Sequence, residues 1–498
     1  MAQDTPSIIR KTEIVKENAP KAKKASVWDN LDVPIERSGK AIVLPSDPRD
    51  MPLDKAVEAL QRKIEDENQV FQVYEIFEDA HPHDAAVAFS RAMTKLYGFS
   101  SAQTETIKTM FGDMKRPPIF VPVRVGWRND EIIQCPTGLF KLPGVDDPVK
   151  ADIFPRGDTR IFAILADIKK KDRHVVLELA RVTREFLASD SIYKGRAIRL
   201  AVDEDGTLDT GNAPTFMNVT DITESDILFD RDVTQQINTN LLVPIKETEL
   251  CRKHKIPLKR GVLLSGSYGT GKSLTARLAA NVCENNGWTF VLLDRIQGLR
   301  EALEFAKKYS PAVVFAEDID RIAEIRNESA NDLINIIDGV VSKNAEVMVV
   351  LTTNFVEKLD PVILRPGRLD AVITLRAPDA ETVERLVRYY AGPLVSENED
   401  LAEVGNVLAG QIPASIRECV ERAKLGMIGR HADSLVATDL ITSAQTMVNH
   451  LELLNKKKSE TTEAEKLADS LHKVILNGTH EHLHEIKNTL EEVRKYAS

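Results

Sequence analysis

No uninterrupted apolar run in the sequence approaches the roughly 18 residues that a bilayer-crossing helix requires, which excludes a membrane-spanning helix. The N-terminus has no apolar h-region of a secretory signal. Cysteine is scarce, and its four copies, Cys135, Cys251, Cys283 and Cys419, are scattered without metal-ligand spacing. They read as reduced thiols in a cytoplasmic setting. An excess of positive charge is also missing: the formal net charge is -10, so the chain as a whole does not attract polyphosphate. Nucleic acid is therefore a secondary partner class, dependent on a local basic groove. No internal repeat is present.

What is there exceeds one hydrophobic core, because 498 residues call for two or more folded units. Residues 1–50 mix Pro, Lys, Asp and Ser with little apolar periodicity and read as a flexible leader, in which Lys21, Lys23 and Lys24 are a solvated cluster. A small α+β domain is expected over 51–222. It opens with a helix on which Leu53, Val57, Leu60 and Ile64 recur at helical spacing, and continues through Val121, Val123 and Val125, then RIFAILADI, HVVLELARVTREFL and RAIRLAVD. That domain shows no catalytic constellation, so a recruiting or adaptor role is expected of it. Over 223–378 the runs GVLL, TFVLLD, AVVFAED, EVMVVLTTN and AVITLRAP alternate with amphipathic stretches, the pattern of a parallel sheet buried on both faces. Consecutive helices follow over 379–453, and 454–498 is a charged helical tail. The expected fold class is α/β, with a helical lid subdomain after the sheet and the α+β domain before it.

The strongest chemical signal is GSYGTGKS, lying between the strand run Val262, Leu263, Leu264 and the helical segment SLTARLAANV. This strand, glycine loop and helix order is what phosphate binding needs: Gly266, Gly269 and Gly271 let backbone N–H groups turn inward, and the helix N-terminus adds positive potential. Ser267, Tyr268, Thr270 and Leu274 belong to the same cradle. Lys272 neutralises charge on the β and γ phosphates of ATP, and the Ser273 hydroxyl suits Mg2+, a hard cation. A second strand tip, AVVFAEDID, supplies the carboxylates Glu317 and Asp318 for the metal and the attacking water. EVMVVLTTN ends in Asn354, an uncharged group able to hold the water or the γ phosphate. LDPVILRPGRLD presents Arg365 and Arg368, either of which could stabilise transition-state charge.

Across roughly 223–453 these residues resemble the classical AAA family, a branch of the AAA+ ATPases, in the ordered series GSYGTGKS, AVVFAEDID, DGV, LTTN and LDPVILRPGRLD. The resemblance implies Walker A, Walker B, an intersubunit signalling segment, sensor 1 and a second region of homology. It further implies that Arg365 and Arg368 act on the ATP of a neighbouring subunit in a homo-oligomeric, usually hexameric, ring. Asp226 and Ile227 resemble the start of the adenine-contacting segment, with Leu228 and Phe229 where the family has two glycines. GQIPASIREC resembles the lid segment, placing Pro413 and Ala414 near the base, with Arg417 as the candidate sensor 2 arginine.

The chain departs from that pattern in three places. Walker B carries Glu317 then Asp318, the reverse of the family order, and Asp320 supports this register. Glu317 is accordingly assigned to magnesium and Asp318 to the water, with Ser273 completing the metal set. The loop after TFVLLD lacks the family's aromatic grip and offers Ile296 and Gly298, and the loop after IDRIAEIRNESAN is short. Two further patterns have bland readings: His480, His482 and His484 as a surface helix without a third ligand, and Trp127 with Arg124 and Arg128 as strand packing with a solvated rim, which explains them as cheaply as a base-stacking platform with a phosphate clamp. The functional expectation is an ATP-hydrolysing remodeller of protein partners. The alternatives are a nucleic-acid motor and a slow nucleotide-dependent scaffold or switch.

Overall fold

The computed structural model describes residues 53–99, 101–110, 112–157, 159–201, 213–294, 298–319, 345–359 and 369–448. The leader, the tail with its three histidines, Ile296, Asp320, the DGV segment, Arg365 and Arg368 lie outside the described residues. The chain divides into a unit ending at Gln69 and a second unit beginning at Val70. Helix α1 (Leu53–Asn68) belongs to the first and follows the expected apolar spacing. The α+β domain expected to begin at residue 51 therefore starts, as a compact body, with the strand after this helix.

That strand is β1 (Val70–Phe77), followed by α2 (Pro82–Tyr97), a hairpin of β2 (Glu105–Thr109) and β3 (Gly112–Arg116), then β4 (Ile119–Arg124), β5 (Ile132–Phe140), β6 (Val149–Arg156), β7 (Thr159–Lys169) and α3 (Arg173–Ser189). Five of the strands form an antiparallel sheet in the order β1-β7-β6-β5-β4. Alternation along the strands sends Val73, Phe77, Phe162 and Ile164 into a core shared with Phe89 and Met93 of α2 and Val176 and Leu179 of α3.

The next strand corrects the domain reading. RAIRLAVD, assigned above to the α+β domain, forms β8 (Ala197–Leu200), and β9 (Thr215–Phe216) pairs with it. Both belong to the seven-stranded sheet of the following region, ordered β14-β10-β13-β12-β11-β8-β9. Residues 197–216 thus lie on the other side of the boundary expected at 222. The remaining members are β10 (Arg260–Ser265), β11 (Thr289–Leu293), β12 (Ala312–Ala316), β13 (Val347–Thr353) and β14 (Ala371–Thr374), and every neighbouring pair except β8 with β9 is parallel.

The apolar runs are continuous because both faces are covered. Leu263, Val291, Val314 and Val349 pack with Leu299, Leu303 and Ala306 of α8 (Leu299–Lys308). Val262, Phe290, Val313 and Met348 instead pack with Ala276, Ala279 and Ala280 of α7 (Lys272–Asn285) and with α4 (Arg231–Ile237), α5 (Val243–Lys246) and α6 (Thr248–Lys253). The lid is α9 (Ala380–Ala391), α10 (Ala402–Leu408) and α11 (Pro413–Gly429) around Val383, Leu386, Val404, Leu408, Ile416 and Val420. None of the helices among the described residues is long and apolar enough to cross a membrane.

A polar knot joins the antiparallel domain to the parallel sheet. The His81 N–H donates to the Tyr309 hydroxyl at 2.7 Å, just past the end of α8. Asp84 accepts from Ser191 Oγ at 2.6 Å and from the Ile192 N–H at 3.0 Å, and also bonds the Tyr309 hydroxyl. Although an edge of it reaches solvent, the His81 ring is enclosed by His83, Tyr193 and Phe305. That enclosure, with the nearby His83 and Lys308 charges, pushes its pKa down from 6.5 to about 3, and burial also lowers His83. As pH falls below 6.5 the unfolded chain takes up protons that the folded knot refuses. Through His81, stability is therefore lost from about pH 6.5 down to about pH 3, by up to ~1.4 kcal/mol per pH unit, and His83 acts in the same sense. Burial raises Asp84, which works in the opposite sense between its ordinary and its raised pKa. Denaturant midpoints at pH 7.5 and 5.5 should fall with acid in the wild type, and His81→Gln should flatten the fall; equal slopes would show that His81 is not the cause.

Candidate nucleotide site

The glycine loop follows β10, the strand flanked in parallel register by β13 and β14, so its opening faces the carboxyl edge of the sheet where ligands of such folds sit. Gly269 and Gly271 have φ of 80° and 105°, in the left-handed region. A Cβ at Gly271 would also lie 3.0 and 3.1 Å from ring atoms of Phe229. Thr270 is buried and donates from Oγ1 to the Ser267 carbonyl at 2.8 Å, tying the loop across its width. Ser267 and Tyr268 stand exposed, and Leu274 packs on the core below α7.

Lys272, only 9% exposed, curls back over the loop. Its Nζ donates to the carbonyls of Gly266 at 2.6 Å and Ser267 at 3.0 Å, and to Asn354 Oδ1 at 2.7 Å. Nζ also lies 5.8 Å from the Tyr268 ring centroid. Asn354, at the tip of β13, passes the link on: its Nδ2 donates to Asp318 Oδ1 at 3.0 Å. Ser273 Oγ in turn donates to Glu317 Oε1 at 2.7 Å. The two carboxylates expected as a pair thus have separate neighbours, one on the hydroxyl of the loop and one on the Lys272–Asn354 relay. Ser273 and Glu317 offer hard oxygens separated by nearly the ~3 Å edge of a magnesium octahedron, so the donor set fits that ion.

The segment before the loop is bound to the lid. Asp226 accepts from the Thr223 N–H at 2.6 Å and Thr223 Oγ1 at 2.7 Å, and from the Tyr389 hydroxyl of α9 at 2.8 Å. The Thr223 contacts, then Tyr389, hold its carboxyl below the usual range. Ile227 packs on the core, Leu228 turns into the lid core, and Phe229 is buried against Gly271. Arg385 Nη2 donates to the Phe229 carbonyl at 2.9 Å. Pro413 opens α11, and a Cβ on Gly269 would lie 3.3 Å from Ala414 Cβ and 2.9 Å from Ile412 Cδ1. The beginning of the lid helix therefore meets the glycine loop.

Most of the expected site residues are thus assembled at one sheet edge. Residues 262–377 match the family described as ATPase family associated with various cellular activities (AAA). This segment is an AAA domain. Over 237 residues the chain is 30% identical to a proteasome-activating nucleotidase of Methanosphaerula palustris, an alignment spanning 44% of this chain and 57% of that protein. A cell division cycle protein 48 homologue of Archaeoglobus fulgidus is 28% identical over 232 residues, covering 43% and 31% of the two chains. A proteasome-associated ATPase of Streptosporangium roseum is 33% identical over 222 residues, covering 38% of each. The chain therefore spans about a third to just over half of the length of these relatives.

Three residues that touch the AAA site were given no task by sequence reasoning, although Phe229 and Thr352 were both in view. Phe229 was noted only as standing where the family has a glycine, and Tyr389 carries no motif signal, since an aromatic on a helix face looks like ordinary packing. Thr352 was in view inside LTTN, where two hydroxyls in an otherwise apolar buried strand are the signal, but only the terminal Asn354 was given a task.

Proposed function

We propose that this chain binds ATP with magnesium at the Lys272 loop and hydrolyses it to ADP and phosphate. The observation that carries the reading is the relay from Lys272 through Asn354 to Asp318, set beside the Ser273–Glu317 pair. Backbone N–H groups of 269–273 and the start of α7 receive the phosphates, and Lys272 exchanges its present acceptors for the β and γ phosphate oxygens. Ser273 and Glu317 hold the magnesium, which neutralises charge on the phosphates. Asp318 and Asn354 orient a water in line with the γ phosphorus. As the new oxygen–phosphorus bond forms and the bond to the β-phosphate oxygen breaks, Asp318 accepts the proton of the water, directly or through a second water. Ile227, Leu274, Pro413 and Ala414 enclose the base, and Asp226 ties that wall to the lid through Tyr389.

At the level of the whole molecule, the proposal is a cytoplasmic, ring-forming, hexameric remodeller of protein partners. Arg365 and Arg368 reach the neighbouring subunit's ATP, the antiparallel domain from β1 to α3 recruits a substrate or adaptor, and 379–453 act as the lid. The relatives' names, which place two of them with the proteasome, support a protein rather than a nucleic-acid target. A slow nucleotide switch is the second reading, favoured by the short Asp318 at the water position. Stimulation of turnover by unfolded protein supports the first; stimulation by DNA alone removes it.

The direct test is titration of a fluorescent ATP analogue with and without magnesium. Lys272→Ala removes a charge that would sit against phosphate, worth about 2 to 5 kcal/mol in comparable buried pairs, so affinity should fall at least ~30-fold. Undiminished Mg-dependent binding by that variant would overturn the assignment.

A further inference from the structure

Thr352 is 1% exposed on β13, two residues before Asn354. Its Oγ1 accepts the Asp318 N–H at 3.0 Å, and its carbonyl accepts the Ile319 N–H at 2.9 Å. One residue therefore holds two consecutive amides of the turn that leaves β12. Asp318 sits there at φ 51°, a left-handed conformation that costs any non-glycine residue energy but that Asp enters more readily than most. Such a backbone persists only where its surroundings determine it, and the hydroxyl of Thr352 is the side-chain contact made to the amide of Asp318 itself.

We propose that Thr352 is a positioning residue for hydrolysis. Its hydroxyl fixes Asp318 in the left-handed turn, which aims the carboxylate at Asn354 and the Lys272 relay. The inference rests on Asp318 being the water-orienting carboxylate, and it accounts for how the shorter of the two acids serves there. Aspartate lacks one methylene, about 1.5 Å of reach relative to glutamate. The turn redirects the Cα–Cβ bond out of the strand's alternation, and the 3.0 Å contact from Asn354 Nδ2 to Oδ1 fixes where the carboxylate ends. Without the Thr352 hydroxyl the Asp318 amide loses its acceptor, and the turn is free to relax toward ordinary strand geometry.

Thr352→Ser keeps the oxygen and Thr352→Ala removes it, while both lose the same methyl group, so the pair isolates one atom. With purified full-length chain, the Ala variant should show kcat about tenfold below the Ser variant, the rate equivalent of one hydrogen bond, with KM and MgATP-analogue affinity equal within about twofold. Thr352→Val, which keeps side-chain volume, should repeat the Ala loss. Equal kcat for the Ser and Ala variants, or a loss confined to KM and affinity, would overturn the proposal. Asp318→Asn measured alongside separates the two levels. If it abolishes hydrolysis while the Thr352 variants match one another, the positioning role alone fails; if it hydrolyses ATP normally, the role of Asp318 fails with it.

Discussion

Asp318→Asn should leave MgATP binding within a few-fold of wild type and reduce hydrolysis by about 10²- to 10⁴-fold, the span that a positioned general base contributes. The substitution is close to silent in structure. Asn enters the left-handed region as readily as Asp, so the turn at φ 51° is preserved. Its Oδ1 can still accept the Asn354 Nδ2 contact seen at 3.0 Å, and its backbone N–H can still reach Thr352 Oγ1. What disappears is the negative charge and the capacity to take a proton. Glu317→Gln should behave differently. Its partner is the Ser273 hydroxyl, so loss of charge there weakens the metal set and should lower magnesium-dependent affinity together with turnover. Phosphate release and analogue binding, measured on both variants across a magnesium series, distinguish the roles. Normal turnover by Asp318→Asn with none by Glu317→Gln would exchange the two assignments.

The second large effect is expected at Gly271. Gly271→Ala meets two obstacles at once. Alanine at φ 105° is strained by at least about 1 to 2 kcal/mol, and its Cβ would press on Phe229 ring atoms at 3.0 and 3.1 Å. Phe229 is not free to retreat, since it is buried and its carbonyl is held by Arg385. The loop must therefore shift. MgATP affinity should drop by at least about fivefold for the strain alone and more with the displacement. Adding Phe229→Ala removes the ring contact but not the strain, so partial recovery in the double variant would apportion the two causes. Affinity of Gly271→Ala equal to wild type would show that the loop tolerates the distortion and that the phosphate cradle lies elsewhere. Gly269→Ala should be milder on the steric side, because the nearest atom to its Cβ is the end of the flexible Ile412 side chain.

The nucleotide loop was readable in the sequence because its chemistry is local. A run of glycines between a buried strand and a helix constrains its own backbone, and Lys272 follows from the spacing. The buried strands were readable for a related reason, since cover on both faces leaves a continuous apolar run and erases alternation. Strand β8 was not, because four residues with one exposed position look the same in either sheet. Its place is decided by pairing of Phe290 with Ala197 and Leu293 with Leu200, partners about ninety residues away in the chain. The left-handed turn at Asp318 was equally hidden. It depends on a hydroxyl from another strand, and the exchange of Glu and Asp signalled only that something there was unusual.

The crossing of β8 has a practical meaning for anyone dividing this molecule. The strand hydrogen-bonds along β11, so a fragment cut where composition changes, near residue 222, would strip two strands from the parallel sheet and leave a raw backbone edge on β11, next to β12, which Glu317 follows. The chain between the antiparallel domain and the glycine loop is thus woven into the sheet rather than strung as a tether.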